Sequence, residues 1–329
     1  MTNQHSPVRQ PTMHRELAVE TLNRLGKLSA ALVRGPNIIP VLSYYLLEPD
    51  RIIFGAAEAG MFFKLPEEDR DPDWESLCLP IDALGKFATS LKQREETLTI
   101  KTTGAMAQLT AGKARAKVQT LPGSTYPLNL EMPEHFVSLN LAQYQSAFET
   151  AITFSGAKDY RTQLNGVHVS ISQTSNRIEA TDSHRAVRIF PTLQADLTEI
   201  TVEGIVPYKS VQALNRIVAE LKPEKIAIGQ NRKGQFFFGL GEHLFWTGAL
   251  DARYPDMSGI FDNTADRQNK VTFTLPDLLE ALAALVFFSD TRSCSLEFHE
   301  AGVTFLSVDA DLQESRIDIS VQERIGGPD

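Results

Sequence analysis

Two kinds of hydrophobic pattern alternate along this chain. Stretches of a dozen or more residues carry apolar side chains at helical spacing, and shorter segments between them alternate apolar and polar residues as strands do. Helical stretches begin five times, about 60 to 70 residues apart, over Arg15–Val33, Pro80–Leu91, Leu141–Phe154, Pro207–Leu221 and Pro276–Phe288. The pattern predicts one helix-plus-sheet unit used repeatedly, which is typical of a scaffold that works through its surface.

Strand patterns fill the intervals between these helices. The segments Ile38–Leu42 and Ile52–Phe54 read as strands. Three alternating segments follow the second helix, at 97–101, 106–110 and 114–119, and the glycines between them predict an antiparallel meander. Two loops rich in proline and polar residues, 122–133 and 254–269, are the predicted linkers. They divide the five units into two, two and one.

Length and composition narrow the classes of protein. A chain of 329 residues with 42% apolar residues is expected to form two or three globular domains. Its two cysteines, Cys78 and Cys294, provide no disulfide framework and are expected to be reduced, buried thiols. The first dozen residues lack the apolar core of a secretory signal, and no run of 18 apolar residues exists. We therefore expect a cytoplasmic protein with a disordered N-terminus over 1–13 and no contact with a membrane.

Several local motifs resemble a known family. Arg161–Val167 reads RTQLNGV and Glu179–Val187 reads EATDSHRAV, and both resemble the middle domain of the bacterial DNA polymerase III beta subunit, the sliding clamp. Further matches follow in the order of that family, at Ile38–Leu42, Tyr126-Pro127, Val206–Lys209 and Arg253–Asp256.

The resemblance implies an α+β DNA clamp fold with three domains of two helix-plus-antiparallel-sheet units each. The expected boundaries are 14–122 for domain 1, 135–254 for domain 2 and 270–329 for a domain 3 that is incomplete, because only one helical stretch follows the second linker. It also implies a non-catalytic processivity factor without cofactor or metal, which encircles duplex DNA as a head-to-tail dimer and tethers a replicative polymerase. The implied partners are the polymerase III catalytic subunit and the clamp loader. The alternative is a divergent adaptor or decoy that binds DNA or another clamp without conferring processivity.

The net charge of −9 opposes DNA binding unless cations are concentrated on one surface. The windows around the five helices contain thirteen Lys or Arg and nine Asp or Glu, an excess of +4 that leaves −13 elsewhere. In the family the helices line the hole, so the resemblance makes basic residues on or beside helices the candidates for phosphate contacts. They are Arg24, Lys27, Arg34, Lys158, Arg161 and Lys209. Pro36 occupies the place of a family arginine.

The resemblance also implies a groove for partner peptides between domains 2 and 3. The residues that match its domain 2 wall are Leu164, Thr181, Ser183, His184, Arg185, Ala186, Pro255 and Ile260. Ala186 replaces a larger aliphatic residue of the family, which predicts a shallower groove and weaker binding. From the residues alone, 181–185 reads as a strand-to-turn segment whose polar side chains bond to the local backbone. Both interpretations stay open.

Ring closure in the family pairs edge strands of domain 1 and domain 3. The matching residues are Ala116, Val118, Phe287, Phe288, Leu312 and Arg316. Two adjacent phenylalanines are more often core residues than interface residues, so one of this pair is expected to face inward.

An enzyme is the alternative from another class. Asp182, Ser183 and His184 contain the residue types of a serine hydrolase, but neighbours on an extended segment point to opposite faces and cannot relay a proton. No Ser lies in a glycine-flanked elbow, and no two histidines have metal-ligand spacing. These patterns do not favour catalysis.

Overall fold

The computed structural model describes residues 13–32, 39–90, 97–128, 130–193, 200–262, 270–288, 294–299, 302–308, 314–320 and 323–325. Each of the five predicted helical stretches contains a helix. The α-helices within the described residues are α1 (Val19–Leu32), α2 (Ile81–Ser90), α3 (Leu141–Tyr144), α4 (Thr150–Phe154), α5 (Tyr208–Leu221), α6 (Ser258–Phe261) and α7 (Leu275–Phe288). A π-helical turn, Gln145–Glu149, joins α3 to α4.

The strands of the first 130 residues confirm the predicted meander. They are β1 (His14–Ala18), β2 (Tyr44–Leu47), β3 (Arg51–Gly55), β4 (Ala59–Lys64), β5 (Leu77–Pro80), β6 (Thr97–Thr103), β7 (Met106–Ala111), β8 (Ala114–Gln119) and β9 (Leu121–Pro122). The predicted strand at Ile38–Leu42 is wrong over its described part, because Pro40–Ser43 forms a 3-10 turn in which the Leu42 amide donates to Ile39 O. Proline suits the first turn of such a helix, since it has no amide proton to place.

Thirteen more strands lie within the described part of the remaining chain. They are β10 (Val137–Asn140), β11 (Gly166–Ile171), β12 (Asn176–Thr181), β13 (Ala186–Ile189), β14 (Val202–Pro207), β15 (Lys225–Gln230), β16 (Phe236–Leu240), β17 (His243–Thr247), β18 (Lys270–Thr272), β19 (Ser295–His299), β20 (Gly302–Val308), β21 (Glu314–Ile319) and β22 (Glu323–Ile325). The chain divides into two compact units, Met1–Pro255 and Asp256–Asp329. The first unit contains both stretches predicted as domains 1 and 2.

One structural repeat recurs along both units. It consists of an entry strand, a helix and a three-stranded antiparallel meander. In the first unit the entry strands are β1, β5, β10 and β14, and the meanders are β2–β4, β6–β8, β11–β13 and β15–β17. The second unit holds a fifth copy, formed by β18, α7 and β19–β21.

Repeats of the first unit exchange their entry strands in pairs. The sheet orders β1-β6-β7-β8 and β5-β2-β3-β4 show that each of the first two repeats completes the meander of the other. The orders β10-β15-β16-β17 and β14-β11-β12-β13 show the same exchange between the third and fourth repeats. In all four cases the entry strand lies antiparallel beside the first strand of the meander.

The register of this exchange is constant. The residue immediately before the helix pairs with the first residue of the meander, as in Ala18↔Thr97, Pro80↔Tyr44, Asn140↔Lys225 and Pro207↔Gly166. One step inward, two apolar residues always face each other, as in Leu17↔Leu98, Leu79↔Tyr45, Leu139↔Ile226 and Val206↔Val167. These pairs are buried because a helix covers that face of each sheet.

The two pairs of repeats in the first unit join through β17 and β4, which creates a sheet of nine strands. Gly60 on β4 lies so close to Trp246 on β17 that a Cβ atom would sit 2.7 Å from the indole Nε1. His243 Nδ1 accepts a hydrogen bond from the Lys64 amide at 3.1 Å, and its ring stacks on Phe63. Burial lowers the pKa of His243 to about 4, so the neutral ring can act as this acceptor.

The start of the first helix differs from the prediction. Arg15 lies on β1 and is only 2% exposed, because its guanidinium donates hydrogen bonds to the carbonyls of Glu48, Pro49 and Asp69. The Asp69 carboxylate accepts from the Ala18 amide at 2.7 Å and from Thr21 Oγ1 at 2.6 Å. This cap comes from a distant loop and fixes the helix start at Val19, four residues later than the pattern predicted.

The second unit has a smaller core. Ala281 and Leu285 of α7 pack against Val303 and Phe305 of β20 and against Ile319 of β21. Its meander has the order β19-β20-β21, while β18 pairs with the short β22. Among the described residues, no helix is long and apolar enough to span a membrane.

Candidate nucleic-acid and partner interfaces

Helices α1 and α5 lie side by side, and their exposed faces carry several of the predicted DNA contacts. Lys27 Nζ on α1 bonds to the Glu220 carboxylate on α5 at 2.8 Å. Arg24, one turn earlier on α1, lies 3.7 Å from Glu20. Each of these cations therefore has an acidic neighbour that offsets part of its charge, and both pairs are exposed and screened by solvent.

The cations of α5 differ from those of α1 because they do not form ion pairs within the described residues. Lys209 is exposed, and Arg216, seven residues later, lies on the same face of the helix. Gln212 lies between them and donates to the Tyr208 hydroxyl at 3.1 Å. Within the described residues, neither cation has a carboxylate within ion-pair distance. The sequence reasoning missed Arg216, although its spacing of two helical turns from Lys209 would have identified it.

The loop after α4 contains Lys158 and Arg161. Lys158 is exposed, whereas Arg161 is held by the Asp159 carboxylate, with Nε–Oδ1 and Nη2–Oδ2 distances of 2.9 and 2.8 Å. Hydrogen bonds from Arg161 lower the pKa of Asp159 to about 2. The guanidinium also lies 5.1 Å from the ring of Tyr160, which is 89% exposed. This loop can offer an aromatic face and a lysine, but most of the Arg161 charge is already paired.

The sequence windows used for the charge count include residues that do not lie on a described helix face. Arg15 was counted there and is buried on β1, so it cannot meet a ligand. Arg34, another of the predicted contacts, lies outside the described residues, as do Lys92 and Arg94. The excess of +4 stays a prediction, because several of the residues counted lie outside the described part of the chain. Among the described residues of α1 and α5, the cations without an acidic neighbour are Lys209 and Arg216 on α5.

The segment 181–185 is a tight turn between β12 and β13. Thr181 Oγ1 donates to Arg185 O at 2.8 Å, and Asp182 Oδ1 accepts from the amides of His184 and Arg185. Ser183 has a left-handed φ of 73°. The local interpretation of this segment, a turn stabilised by its own polar side chains, is thus confirmed.

The same turn contacts the α4 region and keeps part of its surface open. Arg161 Nη2 donates to Ser183 Oγ at 2.9 Å, and Arg185 Nη2 donates to Thr153 O at 2.7 Å. Ser183, His184 and Arg185 are exposed. The structure therefore brings the predicted DNA-binding loop and the predicted peptide wall together.

The other predicted groove residues differ in how much of their surface is exposed. Leu164 is only 4% exposed at the end of the 162–164 turn, and Ala186 is half-buried at the start of β13. Pro255 is exposed at the end of the first unit. Ile260, on α6, is 59% exposed and belongs to the second unit.

The predicted dimer residues fall on two edge strands. Ala116 and Val118 are half-buried on β8, which is the last strand of its sheet. Arg316 lies on β21, the last strand of the second unit's meander, where it pairs with Glu314 and lies 3.7 Å from Glu297. Phe287 and Phe288 end α7, but their side chains lie outside the described residues, as does all of Leu312.

A buried charge cluster lies close to the predicted groove and was not foreseen. His168 on β11 bonds to Glu179 at 3.2 Å and to Glu203 at 2.8 Å, and its ring stacks on Tyr254 at 4.3 Å. Arg188 Nε donates to Glu179 at 2.5 Å. The alternating sequence of β11, β12 and β14 could have indicated that these side chains share one sheet face, but not their pairing.

Burial alone would lower the pKa of His168 and raise that of Glu179. The mutual hydrogen bonds outweigh burial in both cases, so the pKa of His168 is raised and that of Glu179 is lowered. The cluster therefore favours a charged His168 between carboxylates. It fixes Tyr254, the penultimate residue of the first unit, against sheet β13-β12-β11-β14.

Comparison with known proteins identifies the fold and shows which family the middle of the chain matches. The family described as DNA polymerase III beta subunit, central domain, matches residues 143–256. A beta sliding clamp of Chlamydia muridarum is 21% identical over 263 residues, covering 79% of this chain and 70% of that protein. One of Vibrio cholerae is 30% identical over 161 residues, covering 48% and 43% of the two chains.

Solved structures agree over a longer range. The DNA polymerase sliding clamp of Bacillus subtilis has a TM-score of 0.82 at 17% identity, and the DNA polymerase III subunit beta of Pseudomonas aeruginosa has 0.79 at 21%. Each match covers 96% of this chain and 86% of the solved one. The repeated units described above thus form the α+β clamp fold, and residues 143–256 match the central domain of the DNA polymerase III beta subunit, or sliding clamp, family.

Proposed function

We propose that this protein is a DNA sliding clamp, a non-catalytic factor that encircles duplex DNA in the cytoplasm and tethers a replicative polymerase. The observation that carries the proposal is the repeated entry strand, helix and meander, which sets α1 beside α5 with Lys209 and Arg216 exposed on one helix face. Such a surface meets phosphates without reading bases, as sliding requires. The family relationship supports the same function.

The proposed organisation keeps three domains, at 14–122, 135–254 and 270–329. The proposed ring is a head-to-tail dimer in which β8, with Ala116 and Val118, pairs with β21 of a second copy near Arg316. Both are edge strands among the described residues. The β17–β4 joint supports this pairing, because it already joins the last strands of two meanders in antiparallel register.

We further propose that the turn 181–185 recognises peptides of the polymerase and the clamp loader. The exposed His184 and Arg185 can donate hydrogen bonds to an extended peptide backbone. The exposed Pro255 of the same unit would supply apolar contact. The small Ala186 supports a groove of modest depth.

A processivity assay tests the main proposal. Primed circular DNA is copied by the host polymerase and clamp loader with and without this protein. We expect extension products at least about ten times longer with the protein, because a tethered polymerase does not dissociate after each short run of synthesis. The clamp function would be contradicted if the products were no longer with the protein than without it, and if the protein dissociated from circular DNA as fast as from linear DNA.

The helix face itself is tested by charge reversal. In Lys209→Glu/Arg216→Glu, we expect the slope of log K against log salt to fall by about 2, since each lost phosphate contact removes about one released counterion. Retention on nicked circular DNA should fall with it. Binding is measured by fluorescence anisotropy across a salt series.

The matched control is Lys113→Glu/Lys233→Glu, which changes the net charge equally at two exposed hairpin turns. Its slope should stay within experimental error of the unaltered protein. If both double variants lose the same affinity, binding follows the net charge alone and the α5 surface is not the contact.

A further inference from the structure

The fifth repeat has an open position that is filled in the other four. In each meander of the first unit, an entry strand covers the edge of the first strand. In the second unit, β19 is the corresponding first strand, and no described strand lies on its outer edge. All five of its residues are exposed. An uncovered edge of this kind is a template for strand addition.

The apolar pattern of β19 is that of a covered strand. In the first strand of each of the other meanders, the second and fourth residues are only 0 to 3% exposed. These residues are Leu98 and Ile100, Tyr45 and Leu47, Val167 and Val169, and Ile226 and Ile228. The corresponding residues of β19 are Leu296 and Phe298, which are 46% and 47% exposed. They face the same side of the sheet as the buried Phe305 and Val303, their direct partners on β20.

The helix of this repeat is uncovered on one side as well. Leu275, Leu279 and Ala283 form a stripe at helical spacing, and the two leucines are 66% and 56% exposed. In the first unit the corresponding flanks are covered, because α1 contacts α2 and α4 contacts α5. The stripe carries no charge, so it can meet an identical stripe without repulsion.

The entry strand β18 is open too. It pairs with β22 on one edge, and no described strand lies on the other. The first unit shows that both edges of an entry strand can be used at once, because β5 pairs with the short β9 on one side and with β2 on the other. The pairing of β18 with β22 therefore leaves room for a second neighbour.

We propose that β19 and β18 of one chain pair with β18 and β19 of a second copy, a tail-to-tail contact that completes the fifth repeat by reciprocal strand exchange. The constant register gives Thr274↔Ser295, Phe273↔Leu296, Thr272↔Glu297 and Val271↔Phe298. Leu296 and Phe298 thereby gain apolar partners, as in the four completed sheets. The contact is self-complementary under a twofold axis, since each copy gives one entry strand and accepts one.

This contact is separate from the proposed ring joint. Strand addition at β19 uses one edge of the second unit's meander, whereas the ring joint uses β21 at the opposite edge. The tail-to-tail contact therefore stands or falls independently of the clamp function.

A disulfide across the proposed joint tests it in the full-length chain. Thr272→Cys/Glu297→Cys is prepared with Cys294→Ser, because Cys294 is exposed, contrary to the expectation of two buried thiols, while the buried Cys78 is kept. Mild oxidation should give a covalent dimer, since directly opposed residues of antiparallel strands lie within reach of a disulfide. The control Thr272→Cys/Ser315→Cys places the second thiol on β21 and should remain monomeric under denaturing, non-reducing conditions.

Two further variants test the apolar pairing. Phe298→Lys in the crosslinking protein should lower the dimer yield by about ten-fold, while Val308→Lys, an equally exposed site on β20 beyond β19, should leave it unchanged. Circular dichroism verifies that both variants are folded. A dimer yield no higher than that of the control pair, a bond formed within one chain, or equal yields for the two lysine variants would overturn the proposal.

Discussion

Replacing Glu179 by alanine is expected to lower the free energy of unfolding by about 3–5 kcal/mol. Glu179 is 2% exposed and neutralises Arg188 while bonding to His168. Without it, both cationic groups stay buried with fewer acceptors, and leaving buried charge without its partner costs more than the pair contributes. Urea unfolding of the full chain, followed by the fluorescence of Trp74 and Trp246, measures the loss.

Glu203→Ala is the matched control, since Glu203 also bonds to His168 but its side chain is 54% exposed. This variant should lower the free energy of unfolding by about 1 kcal/mol, because water can replace an exposed carboxylate. Equal losses for the two variants would contradict the assignment of Glu179 as the buried anchor.

The same cluster makes stability depend on pH. The folded-state pKa of His168 is raised above its ordinary value of 6.5. The contribution of its charged form is therefore fully present below pH 6.5 and is lost as the pH rises through the folded-state pKa. Glu179→Ala should flatten this decline, because it removes one of the two carboxylates that hold the proton. Unfolding curves collected between about pH 6 and pH 9 measure the effect.

Phe238→Ala is expected to cost about 3–5 kcal/mol, the second large effect. The side chain is completely buried, and its ring lies 5.7 Å from that of Phe148 and 6.0 Å from that of Phe245. Alanine leaves a cavity between the π-helical turn and β16–β17 that rigid neighbours cannot fill. Denaturant unfolding of the variant measures the loss.

Phe190→Ala removes the same atoms from a side chain that is 68% exposed. It should change the free energy of unfolding by no more than about 0.5 kcal/mol. A comparable loss for both variants would mean that Phe238 does not pack as described.

Local patterns predicted the five repeat helices and the meander β6–β8, because their hydrophobic periods are regular. They failed where a distant residue determines a boundary. The residues Arg15–Ala18 continue the helical spacing of α1, yet they form β1, because β6 pairs with them and Asp69 caps the helix at its start. Neither partner is visible within the window that suggested a helix.

In the candidate sites too, local motifs identified individual residues but not the contacts between residues far apart in the chain. The family motifs identified the turn 181–185 and Lys209, while the spacing of α5 would have added Arg216. The pairing of charges could not be predicted, so nothing in the local pattern discounted Arg161, whose guanidinium is held by the Asp159 carboxylate. The cluster around Glu179 and the reciprocal entry strands also depend on contacts between residues far apart in the chain.

The entry-strand exchange has a consequence for how the chain is made. During synthesis the ribosome releases β1 early, but its neighbour β6 does not exist until the chain has been extended as far as Thr97. The first repeat therefore emerges with an uncovered strand that its own meander cannot accept. Nascent repeats must mature two at a time, and until each second member has emerged, the first is exposed to aggregation and to recognition by chaperones.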